Sequence, residues 1–170
     1  MPYTAKAVAN EFLEVAKRDG ESLSAMKLQK LVYFAHGWHL ALVDKPLFRE
    51  PIEAWQFGPV VPELYHTFKR FGSDPVTEEA GEYVFSGGTF RRHIPRVENS
   101  DDGEARKCAM DVIKRVWSVY APYNAVKLSN ATHLPGTPWY QVYKPGERHL
   151  VIPNDIIKDY FKSMIANGNR

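Results

Sequence analysis

The stretch AMKLQKLVYFAHGWHLALV, residues 25–43, is the feature that most constrains how this chain can fold. At about 100° per residue its apolar side chains form one wide stripe, and a second apolar set lies opposite, with Lys30 as the main charge. A helix that is apolar nearly all round needs neighbours on several sides, so this segment predicts a central helix. Gly37 in its interior costs about 1 kcal/mol relative to alanine. We therefore expect another backbone to approach closely there.

Shorter helical patterns and one hairpin pattern surround this segment. The expected helix N-caps are Thr4, Ser22 or Ser24, Ser100 and Asn124, and a last amphipathic helix opens at Asn154. In EAWQFGPVVPELYHTF, residues 53–68, an extended segment is predicted to turn a corner into a helix with Pro62 in its first turn. Strand-forming residues flank Gly87-Gly88, which predicts a β-hairpin. The fold class is thus mainly α, with about five to seven helices and a small antiparallel β element.

Composition indicates one globular domain of a reducing compartment. The chain has 170 residues, 22 basic and 20 acidic side chains, a net charge of +2 and a single cysteine, Cys108. No apolar run approaches the ~20 residues of a membrane helix, and the start, MPYTAKAVANEF, lacks the features of a signal peptide. We therefore expect a cytoplasmic protein without a disulfide and without membrane contact.

Candidate catalytic and metal-ligating residues are few. His36 and His39 are three residues apart on the central helix, but no Cys, Asp or Glu accompanies them there. Thr132 and His133 are adjacent, so on a helix their side chains point in different directions. Nucleophile-elbow and phosphate-loop motifs are absent. We expect no enzyme activity and no cofactor, while a small metal-dependent hydrolase using His36, His39, His66 or His133 is kept as an alternative.

A basic segment follows the hairpin glycines. It contains Arg91, Arg92, His93 and Arg96, which would form a protruding nucleic-acid-binding arm or an edge strand protected by charge. The nearly even overall charge and the absence of a known reader motif favour the edge strand. Nucleic acid is therefore not an expected partner, and DNA or RNA binding is kept as an alternative function.

Three motifs resemble the SocA-like antitoxin family, also called the Panacea domain, which includes the phage-associated GepA proteins. They are MKLQKLVYFAHGWHLAL, PLFREPIEAWQFGPVVPELYHTFKRFG and THLPGTPW, and the resemblance runs from about residue 3 to about residue 162. It implies a single, mostly helical domain over residues 1–170, with a variable insertion at about 73–100, found in bacteria and prophages. It also implies a non-catalytic antitoxin that neutralises a cognate toxin by direct protein–protein binding. The alternative is a proteolytic adaptor that delivers the toxin to an AAA+ protease.

Partner contacts are expected at aromatic and proline residues of two joints. These residues are Tyr33, Phe57, Pro59, Val60, Tyr65, His133 and Trp139. The polar motif residues are Lys27, Gln29, Lys30, Gln56 and Thr132. Unpaired polar groups beside a buried helix are costly, so these groups either cap backbone carbonyls near the Gly-Pro joint and the Thr-His helix or line a groove for a partner.

Overall fold

The computed structural model describes residues 1–168. Within them lie seven helices and two two-stranded antiparallel sheets, which confirms the mainly α fold with a small β element. The helices are α1 (Ala5–Arg18), α2 (Ala25–Val43), α3 (Pro62–Phe68), α4 (Gly103–Tyr120), α5 (Ala125–Thr132), α6 (Pro138–Val142) and α7 (Asn154–Ala166). The strands are β1 (Glu53–Trp55), β2 (Gly58–Val60), β3 (Glu82–Ser86) and β4 (Thr89–His93).

Helix α2 is central, as its apolar circumference predicts. It contacts α1, α3, α4, α5, α7 and β2, and every residue from 28 to 40 is buried. Ser24 is its N-cap, with the hydroxyl accepting a hydrogen bond from the Lys27 amide. These six elements therefore form a layer around this one helix.

Gly37 packs against a side chain, so the expectation of a backbone neighbour is wrong. A Cβ at residue 37 would overlap the ring of Phe161 on α7. Phe161 is fully buried, and its ring also meets Tyr33, Phe34 and Trp38 edge-on. The missing side chain thus lets an aromatic ring enter the surface of the central helix.

Most helix starts agree with the capping signals. Thr4 and Asn124 cap α1 and α5, and α7 begins at Asn154. Ser100 was expected to cap α4, but the N-cap is Asp102, whose carboxylate accepts a 3.1 Å hydrogen bond from the Ala105 amide. An acidic cap also interacts favourably with the positive end of the helix dipole, whereas the Ser100 amide is held in a turn by the Val97 carbonyl.

Strands β1 and β2 form a tight corner that leads into α3. Trp55 pairs with Gly58 across a two-residue turn, and α3 starts at Pro62. Gly58 has a φ of +114°, which an L side chain rarely adopts. Residues 150–152 add backbone hydrogen bonds to the other side of β1. The predicted turn from an extended segment into a helix is confirmed.

The β3–β4 hairpin turns at Gly87-Gly88, as predicted, and its β4 residues are exposed. Arg96 is not part of a free basic arm, because its guanidinium lies 2.6 Å from a Glu79 carboxylate oxygen and 3.3 Å from one of Glu11.

Across the described part of the chain, no helix is long and apolar enough to cross a membrane.

Candidate partner-binding site

Two side chains of α2 hold the backbone of the corner, residues 53–62. The Gln29 amide donates to the Val61 carbonyl and accepts from the Val61 amide, both at 3.0 Å, as a strand neighbour would. Lys30 Nζ donates to the Pro59 carbonyl at 3.1 Å. Gln29 and Lys30 are buried, and low local polarity strengthens such hydrogen bonds. The central helix therefore sets the position of the corner.

Side chains from α5 and α6 hold the other half of the corner. Trp139 Nε1 donates to the Trp55 carbonyl at 2.6 Å, and Ser129 Oγ donates to the Phe57 carbonyl at 3.0 Å. Corner carbonyls thus receive side-chain donors from three helices, and the turn is fixed although its tip is exposed.

The Thr-His pair completes this support. The His133 ring donates from Nδ1 to the Ser129 carbonyl at 2.6 Å, its Nε2 lies 3.4 Å from the Gln56 carbonyl, and it packs on Trp139. Thr132 Oγ1 donates to the Ser129 carbonyl at 2.6 Å. Thr132 Oγ1 also lies 3.4 Å from His133 Nδ1, but each of these atoms makes its shorter contact, 2.6 Å, with the Ser129 carbonyl of the same helix.

Lys30 is the most unusual charged group in this region. It is 2% exposed, and burial lowers the pKa of its ammonium to about 8. Among residues 1–168 no carboxylate lies within 4.0 Å of Nζ. A Cβ on Gly58 would lie 2.8 Å from Lys30 Nζ and 3.0 Å from Thr132 Oγ1, so a side chain at residue 58 would displace Lys30 as well as strain the backbone.

The remaining polar motif residues differ in environment. Lys27 Nζ donates to the Ala121 carbonyl at the end of α4, at 2.6 Å, and burial lowers its pKa. Gln56 is exposed. The backbone-capping arrangement thus applies to Lys27, Gln29 and Lys30, while Gln56 faces solvent.

A cleft of about 480 Å³ opens between the start of α2, the corner and α3; we call it the corner cleft. Its main apolar lining residues are Met26, Trp55, Phe57, Val60, Leu64 and Tyr65. Phe57 is 66% and Tyr65 45% exposed, and the Tyr65 ring meets Trp55 edge-on at 4.9 Å. The polar lining comprises Gln29, Lys30, Gln56 and Lys69, so both of its charged groups are cations.

The predicted partner contacts fall into three groups. The corner cleft brings together Phe57, Val60 and Tyr65. Pro59, His133 and Trp139 are buried or half-buried in or behind the corner. Tyr33 is 3% exposed and packs on Phe161 in the core. The sequence motifs do not predict the lining residues Met26 and Lys69; the second apolar set of α2, opposite its main stripe, is the signal that could have indicated Met26.

The two histidines of α2 make separate structural contacts. His36 Nε2 pairs with Asn154 Oδ1 at 2.9 Å, its ring packs on Phe48, and burial lowers its pKa to about 4. His39 Nδ1 lies 2.6 Å from the Lys45 carbonyl. Within the described residues there is no group of three or more His, Cys, Asp or Glu side chains suited to a metal ion.

Comparison with known proteins gives one consistent picture. The family model "Antitoxin SocA-like, Panacea domain" matches residues 28–140. Antitoxin SocA of Caulobacter vibrioides (strain NA1000 / CB15N) is 33% identical over 163 residues, which cover 93% of this chain and 82% of that protein. No solved structure gives a significant match. The matched range runs from α2 into α6 and includes the whole corner.

Proposed function

Because the chain belongs to the SocA-like antitoxin family, we propose that it neutralises a cognate toxin by binding it directly through the corner cleft. Family membership supports an antitoxin role. The single observation that supports the cleft as the surface is its pair of exposed aromatic side chains, Phe57 and Tyr65, on a fixed backbone. Masking a toxin by binding requires affinity and no chemical step.

The corner is suited to binding because it is organised before a partner arrives. Phe57 lies in the two-residue turn between β1 and β2, and the carbonyls on both sides of the turn are held by side chains. Ordering a flexible loop would subtract from the affinity, whereas a fixed turn avoids that loss. Large aromatic residues over a concave surface are typical of the few residues that dominate protein interfaces.

Growth rescue and direct binding test this proposal. The small protein encoded beside the gene is expressed alone and with this chain, and the purified pair is titrated by calorimetry. We expect growth arrest, rescue by co-expression and a stoichiometric complex. The Phe57→Ala/Tyr65→Ala variant is expected to bind at least about 30-fold more weakly. Phe90→Ala, which removes a 72% exposed aromatic on the hairpin, is the matched control.

Three outcomes would redirect the proposal. Absence of rescue and of a complex would contradict it. Full activity of the double variant combined with loss for Phe90→Ala would move the interface to the hairpin. A toxin that stays active in the purified complex, but whose half-life in cells shortens in the presence of this chain, would favour the adaptor role with an AAA+ protease.

A further inference from the structure

The ammonium group of Lys30 has more N–H donors than its surroundings provide hydrogen-bond acceptors. It carries three N–H bonds, and within residues 1–168 its hydrogen-bond partner is the Pro59 carbonyl alone. It is 2% exposed and, in the same part of the chain, has no carboxylate within 4.0 Å. A buried charge without a counter-charge is unfavourable, and proteins normally pair it.

The surroundings of Lys30 indicate the chemistry of its missing counterpart. Lys30 lines the corner cleft, and the other charged lining residue is the exposed Lys69. The walls between them are apolar and aromatic. Such a cleft complements an anion attached to an apolar chain. A free phosphate is a poorer fit, because phosphate sites usually surround the ion with several donors.

We propose that the partner inserts an aspartate or glutamate side chain, flanked by apolar residues, into the corner cleft and that its carboxylate pairs with Lys30. This inference rests on the proposed function and adds to it the identity of the partner's anchoring group. Phe57 and Tyr65 at the cleft rim would cover the apolar neighbours of that carboxylate. The ion pair would be shielded from water, so its removal would leave one buried charge unpaired.

The pKa of Lys30 gives the pair a measurable pH dependence. In the free protein it is lowered to about 8 by burial, and a bound carboxylate would raise it. Complex formation would then take up a proton above pH 8, so affinity would decrease there. Complete dependence on the charged form predicts about tenfold weaker binding at pH 9 than at pH 7.

Binding measurements on the toxin encoded by the adjoining gene test the ion pair. Lys30→Met is expected to weaken binding at least about tenfold at pH 7 and to lack the decrease in affinity between pH 7 and pH 9 that wild type shows. Lys69→Met removes the same charge from the mouth of the same cleft and is expected to change the affinity less than about threefold, as an exposed charge does. Thermal unfolding of each variant establishes that it is folded.

A double-mutant cycle identifies the partner's carboxylate. Each Asp and Glu of the toxin is replaced by Asn or Gln and measured against wild type and Lys30→Met. One of them is expected to reproduce the loss and to be strongly non-additive with Lys30→Met. A complex that forms with unchanged affinity for Lys30→Met, or without any coupled carboxylate, would overturn the inference and leave the proposed function standing. Absence of any complex would contradict the proposed function itself.

Discussion

The ring of Phe161 lies against the backbone of Gly37, in the space that a side chain at residue 37 would occupy. Gly37→Ala should therefore destabilise the protein, although alanine favours a helix by about 1 kcal/mol. Overpacking a buried ring costs about 1–3 kcal/mol, so we expect a net loss of up to about 2 kcal/mol in urea unfolding. Phe161→Leu should lose stability by itself, and the double variant should lose less than the sum. Strict additivity would contradict the contact.

Gly58→Ala should disturb the corner more than an ordinary glycine substitution. It places a side chain at a φ of +114° and brings a Cβ within 2.8 Å of Lys30 Nζ. We expect a loss of about 3 kcal/mol in the free energy of unfolding. Gly88→Ala is the matched control, because it also has positive φ but meets no atom within 4 Å. Equal losses would show that backbone strain alone acts at residue 58.

Stability should decrease as the solution becomes acidic through the titration of His36. Its pKa is lowered from 6.5 to about 4 in the folded protein, so the unfolded chain binds more protons between these values. Stability is then complete above about pH 6.5 and falls by up to about 3 kcal/mol as the pH approaches 4. Denaturant midpoints across this range should be flatter for His36→Gln than for wild type, while exposed His66→Gln should keep the wild-type slope.

Lys30→Met should leave the free protein folded with little loss of stability. The variant removes one hydrogen bond to the Pro59 carbonyl, but it also removes a buried ammonium group that has no counter-charge among residues 1–168. Replacing buried charges by apolar groups of similar size is often neutral or stabilising. We expect a change within about 1 kcal/mol in chemical unfolding at pH 7. A loss greater than about 3 kcal/mol would show that this hydrogen bond is a main support of the corner.

The β3–β4 hairpin should be dispensable for folding. Tyr83, Val84, Phe85 and Phe90 are all at least 45% exposed. Replacing residues 83–92 by a short Gly-Ser turn should change the free energy of unfolding by less than about 1 kcal/mol, since a loop of similar span remains. Thermal unfolding compares the shortened chain with wild type. A collapse of stability would contradict the predicted variable insertion at about 73–100.

Local sequence patterns were sufficient to predict most of the helices, because capping and helical periodicity depend on residues close together in the chain. The apolar circumference of α2 was sufficient to predict a central helix, and Pro62 to predict the start of α3. Ser100 does not cap α4, because Asp102 lies two residues later and its carboxylate accepts the hydrogen bond from the Ala105 amide. The sequence pattern does not distinguish Ser100 from Asp102 as the cap, because the choice depends on the turn in which the Val97 carbonyl holds the Ser100 amide.

The corner cleft was not predictable in the same way, because it is formed by contacts across the chain. Phe57 and Tyr65 were expected at a partner surface from their position at a proline-fixed joint. The sequence predicts that Lys30 either caps a carbonyl near the Gly-Pro joint or lines a groove; its contact with the Pro59 carbonyl, 29 residues later, agrees with the first alternative. Tyr33 is predicted as a partner contact together with the aromatic residues of the two joints, yet it is buried and packs on Phe161.

The support of Trp55 by Trp139 has a consequence for synthesis on the ribosome. These residues are 84 positions apart, and the donors from α5 and α6 follow the corner in the chain. A nascent polypeptide that has emerged only as far as α4 would present Phe57 on a turn without half of its supports. Under the proposed function, the full capacity to mask a toxin would therefore arise late in translation, and prematurely terminated products would lack a fully supported corner even if their first four helices had formed.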